Sequence, residues 1–297
     1  MKKNMAIGII GAGKWGKNLI REFNKISTIS MCAVTKNSKN KEWLKKNYSR
    51  IKITMDYRDI ISNPDITAVV IATPIKTHHK IATEALLAGK NVFIEKPITS
   101  TSKQAKELTK LAKKRGLTIF VGHVFLYHEM FKKIEQLLTR ERLKYLEFNW
   151  DKLGTFNEDI YLNLLSHDIA IALKLLGKIK RIQPGHVQGA LTSKDVVHIK
   201  AASKNKTNCT FHINRISNEK RKSITIITDK NIYVWGNDSL HKLNKKGGGF
   251  IEVYKSKKTA LEIECIEFIK HIKLNTKPVT DGNFGIQVLA IIEKIDS

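Results

Sequence analysis

The chain has 297 residues, with 53 Lys and Arg against 27 Asp and Glu, a formal net charge of +26, and a hydrophobic share of 42%. That length and apolar content suit two domains with cores of their own, and exclude a disordered chain or a small scaffold dependent on disulfides or metal. The lysines are spread along the whole chain, on polar helix faces such as 41–46 and 103–114, so the charge reads as a solvated surface and excludes a dedicated nucleic-acid or membrane-binding tail.

In chain order, apolar runs at Met5–Ile10, Ser30–Thr35, Ile66–Ala72, Asn91–Glu95 and Thr118–Val121 predict strands. Helical periodicity lies between them at Gly16–Phe23, Lys41–Asn47, Thr77–Ala88 and Ser100–Arg115, with Gly89 and Gly116 as C-terminal stops. This alternation predicts a parallel sheet with right-handed crossovers. Beyond about Phe131 the pattern changes to one helix over Tyr161–Leu176. Strand candidates follow at Val196–Ala202, Cys209–Ile213, Ser223–Thr228 and Ile232–Trp235, then helices at Ala260–Lys273 and Gly285–Lys294, with Lys245–Gly249 as a flexible loop. The expectation is an α/β chain: a parallel-sheet domain over 1–121, and over 122–297 an α+β domain with an open, mainly antiparallel sheet. An exposed face on such a sheet predicts a homodimer or homotetramer. Cys32, Cys209 and Cys265 leave an odd thiol and no ligand spacing, and the apolar stretch before Gly11 is too short for a secretory signal or membrane span, so the chain reads as cytoplasmic.

The first chemical signal is Gly11-Ala12-Gly13-Lys14-Trp15-Gly16, directly after a strand and opening a helix. Gly11 permits the tight turn, Gly13 lets backbone approach a pyrophosphate, and Gly16 lets helix pack on strand, while N–H groups at the helix start, including those of Lys14 and Trp15, hold the anion. The pattern predicts a Rossmann-like domain binding a nicotinamide dinucleotide. An acidic residue about twenty positions on would favour NAD. Here Thr35 and Lys36 end the second strand, a hydroxyl and a cation that suit a 2′-phosphate, so NADP is favoured and NAD stays open.

The second signal is Thr73-Pro74 with His78 four residues beyond Pro74, followed by Glu95-Lys96-Pro97 at the end of the next strand. In this order and spacing the sequence resembles the Gfo/Idh/MocA family of oxidoreductases. The likeness extends to the segments 121–128, 164–169 and 278–282, nearly the whole chain, and within the family it is nearest the branch acting on sugars and nucleotide sugars. It implies a cis bond before Pro97, cofactor contacts from Thr73, Pro74, His78, Glu95 and Lys96, and substrate contacts from His123 and Tyr127. It also implies an Asp-xxx-His pair on the helix that opens the second domain. This chain has Asn163 in place of that Asp, before His167, with Asp168 as a substitute carboxylate.

The residues themselves support the same chemistry. Strand ends are where open α/β sheets bind ligands, so Thr73, Pro74, Glu95 and Lys96 are expected to flank the nicotinamide. Removing a hydride from a carbinol must be coupled to loss of its hydroxyl proton, which an amine such as Lys96 can accept when burial and a nearby cation lower its pKa. Asn163 and His167, four apart, share a helical face suited to a substrate hydroxyl. The histidines lack metal-ligand spacing. The expected activity is NAD(P)-dependent hydride transfer at a secondary alcohol or ketone of a sugar or nucleotide sugar. The alternative is a non-catalytic dinucleotide-binding regulatory or redox-sensing protein.

Overall fold

The structure, a computed structural model, describes residues 5–35 and 38–296. The chain runs β1 (Ala6–Ile10), α1 (Lys14–Ile26), β2 (Thr28–Ala33), α2 (Ser38–Asn47), β3 (Lys52–Thr54), α3 (Arg58–Ser62), β4 (Ala68–Ile71), α4 (Ile75–Leu87), β5 (Asn91–Glu95), α5 (Ser102–Arg115) and β6 (Ile119–Gly122). A 3₁₀ turn (Val124–Tyr127) leads to α6 (Glu129–Leu138) and β7 (Leu143–Leu153), and a π-helical turn (Tyr161–Leu165) to α7 (Ser166–Leu176). There follow β8 (Ile179–Gln188), β9 (Val196–Ser203), β10 (Asn208–Asn214), β11 (Ile216–Thr228), β12 (Ile232–Gly236), β13 (Ser239–Leu243), β14 (Phe250–Lys255), α8 (Ala260–Leu274) and α9 (Gly282–Asp296). Contacts divide these elements into two units, Met1–His123 with Leu261–Gln287, and Val124–Ala260 with Val288–Ser297.

The first unit is built on a six-stranded sheet in the order β3-β2-β1-β4-β5-β6, parallel at every pairing. Its central strands are continuous apolar runs because both faces are covered. On one face Phe93 and Phe120 stack at 5.2 Å, and Phe268 of α8 meets their edges at 5.5 and 5.6 Å. Phe23 of α1 closes the cluster, 5.8 Å from Phe93 and 5.9 Å from Phe268. This aromatic packing explains why residues 261–287 group with the first unit, where the sequence reading draws a single boundary at 121. Strand β6 also hydrogen-bonds this late segment, Val121 N–H donating to the Thr280 carbonyl at 2.8 Å.

The second unit holds an eight-stranded sheet, β14-β13-β12-β11-β7-β10-β9-β8, antiparallel except where β7 and β10 run parallel. One face is apolar by strict alternation, with Val197, Ile199, Cys209, Phe211, Leu146, Phe148, Ile224 and Ile226 buried. The single helix expected over Tyr161–Leu176 is in fact a π turn followed by an α-helix from Ser166. Asp159 drives that start by accepting the N–H groups of both Tyr161 and Leu162 at 2.9 and 2.8 Å, and Ser166 Oγ donates back to Leu162 O at 2.7 Å. Among the described residues, no helix is long and apolar enough to cross a membrane.

Candidate functional site

The glycine turn of the first unit separates structural from functional need. Gly11 has φ +103°, and a Cβ on it would lie 2.4 Å from the Ala72 carbonyl oxygen. A Cβ on Gly16 would lie 2.1 Å from the Gly11 carbonyl oxygen. Gly13 differs: a Cβ there meets nothing within 4 Å, and Gly13 is the N-cap of α1 with no side-chain cap on the helix. The first turn of α1 therefore presents uncapped N–H groups beside open space, the donor set a pyrophosphate needs. Lys14 and Trp15 are exposed on this turn and Thr35 is exposed after β2, while Lys36 lies outside the described residues.

At the neighbouring strand ends the side chains brace one another. Buried His78 has Nε2 at 2.8 Å from the Thr73 carbonyl and Nδ1 at 3.0 Å from the Pro97 carbonyl, so it ties the Thr73-Pro74 turn to the turn after β5. Burial holds its pKa below the ordinary histidine value, against the pull of those carbonyls and with the help of Lys96. Thr73 and Thr77 share a hydroxyl hydrogen bond of 2.7 Å. The Lys96–Pro97 peptide is cis, as the family resemblance implies. His78 and Lys96 thus belong to one local arrangement, with Lys96 half-buried.

Glu95 sits behind Lys96. Its carboxylate accepts from the indole N–H of Trp15 and, at 3.3 Å, from the Lys96 backbone N–H. It lies over Gly122, where a Cβ would come within 3.1 Å of Oε1. Burial pushes its pKa up to about 7, opposed by Trp15 and Lys96. A residue the sequence reading did not single out, Glu264 of α8, is fully buried, and neither of its carboxyl oxygens has a hydrogen-bond partner among the described residues. Burial first, then the charge of Glu95, hold it well above the carboxylic range. His123 is also buried in this unit, edge-on to Phe284 at 5.5 Å.

The second unit gathers a separate set. His167 meets the Phe125 ring edge-on at 5.0 Å and lies 5.7 Å from Trp150. Lys222, opposite Trp150 in the β11–β7 ladder, places its ammonium 3.4 Å from the Trp150 ring centre, 4.2 Å from that of Phe125 and 2.8 Å from Asp168 Oδ1. Burial pulls Lys222 below its usual pKa and pushes Asp168 above its own, and their mutual attraction opposes both shifts. Asp168 is therefore engaged by a cation inside this unit. Asn163 lies in the π turn, in which the Ser166 N–H reaches back five residues to Tyr161 O, so its bearing relative to His167 is not the simple one-turn spacing of an α-helix. Tyr127 is buried in the 3₁₀ turn. Lys222 had a signal in the sequence, a lysine in step with Ile224 and Ile226 on the inward face of its strand. Among the described residues, no group of three or more His, Cys, Asp or Glu could hold a metal ion.

Comparison with known proteins gives this geometry its context. Residues 5–123 match the family described as "Oxidoreductase family, NAD-binding Rossmann fold" (GFO_IDH_MocA). The chain is 33% identical over 140 residues to the uncharacterized oxidoreductase YrbE of Bacillus subtilis, covering 46% of this chain and 41% of that protein. It is 27% identical over 249 residues to the UDP-N-acetylglucosamine 3-dehydrogenase of Acidithiobacillus ferrooxidans, 76% of each chain. The solved structure of that dehydrogenase, GnnA, superposes with a TM-score of 0.90 at 23% identity, over 98% of this chain and 96% of the other. Levoglucosan dehydrogenase in complex with NADH superposes at 0.86 with 19% identity, over 99% and 96%. In its alignments with the first curated relatives the chain spans between 21% and 55% of their length. Over residues 5–123 the chain carries the NAD-binding Rossmann domain of this oxidoreductase family, and over its length it has the fold of GnnA.

Proposed function

We propose that the protein interconverts a secondary alcohol and a ketone on a sugar or nucleotide sugar, using NADP in preference to NAD. The observation that carries this reading is Gly13: of the three motif glycines it alone is not demanded by packing, and it caps a helix whose first N–H groups face open space. A bound nicotinamide dinucleotide supplies the hydride acceptor or donor. In the oxidative direction Lys96, as the free amine, takes the hydroxyl proton while the carbinol carbon gives up its hydride, leaving a ketone. In reduction the Lys96 ammonium returns that proton. His78, held neutral by burial, donates its single N–H to the Thr73 or the Pro97 carbonyl and so steadies the turn that carries Lys96. In the second unit His167 and Asn163 hydrogen-bond substrate hydroxyls, and the rings of Phe125 and Trp150 offer an apolar wall to the C–H face of a sugar. The name of the Acidithiobacillus relative supports the sugar class. Substrate contacts from His123, Tyr127 and Asp168, and assembly as a homodimer or homotetramer, complete the proposal.

The cofactor preference rests on Lys36, which follows β2 where an acidic residue would bind a ribose 2′-hydroxyl. Calorimetric titration is expected to give tighter binding of NADP(H) than of NAD(H), and Lys36→Asp should reverse the order. Equal affinities in both proteins would remove Lys36 from the assignment. A second reading, a dinucleotide-binding regulatory or redox-sensing protein, is favoured by Asn163, since an amide cannot take up a proton. Turnover by the wild-type chain would exclude it.

A further inference from the structure

The aromatic cluster of the first unit ends in a polar layer that the proposed mechanism leaves unused. On β5, Phe93 and Glu95 are two residues apart and so share a face of the sheet. On α8, Glu264 and Phe268 are four apart and share a helical face. Phe93 and Phe268 touch at 5.5 Å, and a helical turn advances about as far as two strand residues, so stepping toward the C-terminus of β5 and the N-terminus of α8 brings Glu264 toward Glu95, whose charge acts on it. Opposite Glu95 on β6 stands Gly122, whose missing side chain leaves room for the carboxyl. From α1, Trp15 donates its indole N–H to Glu95 and so ties this carboxyl to the glycine turn itself.

Two carboxyl groups that are both buried and face each other do not both ionise near neutral pH, because each bears a desolvation cost and the second adds repulsion. Glu95 has donors on both oxygens, which suits the charged form. Glu264 has none among the described residues, which suits the neutral form. The other titratable groups facing these carboxyls and the adjoining Cys265 are Lys96 at the end of β5, and Glu22 and Lys25 on α1, which neutralise each other across 2.7 Å.

We propose that Glu95 and Glu264 form a buried acid pair carrying at most one negative charge, and that this charge sets how strongly the protein prefers the oxidised, cationic nicotinamide over the reduced, neutral one. The proposal rests on the dinucleotide reading above. Glu95 remains the group that changes charge, and Glu264 the group that keeps its proton. Since Glu95 loses its proton near neutrality, the preference is pH-dependent: raising the pH charges Glu95 and tightens binding of the cationic form, while the neutral form responds little.

The test is fluorescence titration of the full chain with oxidised and reduced dinucleotide, without substrate, across pH. The ratio of the oxidised to the reduced Kd is expected to fall about tenfold between about pH 6 and about pH 8. Glu95→Gln should make that ratio independent of pH. Infrared spectra of the wild type at the upper pH should retain a carboxylic acid C=O stretch from a buried group, and the isosteric Glu264→Gln should lose it. A flat ratio in the wild type, a slope that survives in Glu95→Gln, or no protonated carboxyl band at the upper pH would overturn the proposal. Failure to bind either dinucleotide would instead overturn the functional reading and the cofactor half of the inference with it, while the infrared band still decides whether the acid pair exists.

Discussion

Glu95 and Lys96 are adjacent in sequence yet differ in what the fold asks of them. Lys96 is half-buried beside a buried acid, whereas Glu95 is an acid whose folded pKa lies well above its unfolded value, from 4.5 to about 7. The sign of its contribution to stability follows. A carboxyl with a raised pKa favours the folded state in its protonated form, so its contribution is full below the unfolded value and is lost as pH rises through the folded one. Urea denaturation of the wild type is expected to give an unfolding free energy that falls by on the order of 3 kcal/mol over this window. Glu95→Gln, which keeps the acceptor for Trp15, should remove most of that fall, and an unchanged slope in the variant would place the titrating group elsewhere. His78 entered through the family resemblance, and the positions of the motif glycines and of Lys96 at strand ends were legible in the sequence from the strand pattern. Glu264 was not, although its signal was present: a glutamate in the apolar stripe that also carries Cys265, Phe268 and Ile269. Reading such a residue as core requires knowing that the helix packs on a sheet, which no local pattern states.

Most elements of the first unit follow their periodicity, since parallel strands covered on both faces are uninterrupted apolar runs, but the three-residue edge strand β3 and the five-residue α3 are too short to show a period and escape the sequence reading. In the second unit β7, β8, β13, β14 and α6 escape the sequence reading. Strand β7 is the clearest case, a central strand in which Glu147, Asn149 and Asp151 alternate with Leu146, Phe148 and Trp150, so that its apolar residues never form a run. The segment 245–249 is the turn joining β13 to β14, with Gly248 and Gly249 at φ +68° and +74°. The turn between β1 and α1 allows a sharper test. Gly16→Ala forces a Cβ to 2.1 Å from the Gly11 carbonyl oxygen and is expected to cost about 1–3 kcal/mol of stability. Gly13→Ala has room for its methyl group and an allowed φ of −66°, so it should stay within about 1 kcal/mol of the wild type. Its dinucleotide affinity should nonetheless drop at least about tenfold, because the methyl group occupies the space the pyrophosphate needs. Loss of stability in Gly13→Ala, or unchanged affinity, would mean that the open space at this helix start serves no ligand.

Taken as one chain, the protein holds its candidate residues on two units of different architecture: one with a parallel sheet whose strand ends carry the glycine turn and Lys96, and one with a mixed sheet whose Trp150 and Lys222 meet Phe125, His167 and Asp168. The division between a parallel and a mainly antiparallel sheet was readable from hydrophobic period alone. The return of residues 261–287 to the first unit was not, since it depends on Phe268 meeting rings more than 140 positions away in sequence. The net charge of +26 is spread along the whole chain, on exposed helix faces such as that of α5 and on strands and loops alike. Nicotinamide absorbance during incubation with a panel of nucleotide sugars and free polyols, with each dinucleotide, for the wild type beside Lys96→Met, tests the central claim most directly. The wild type should reduce dinucleotide with at least one substrate of this class, and Lys96→Met should bind dinucleotide normally but turn over slower by a factor on the order of 10² to 10⁴. Normal turnover in Lys96→Met, or a wild type that binds dinucleotide and exchanges no hydride with any of these alcohols, would contradict it.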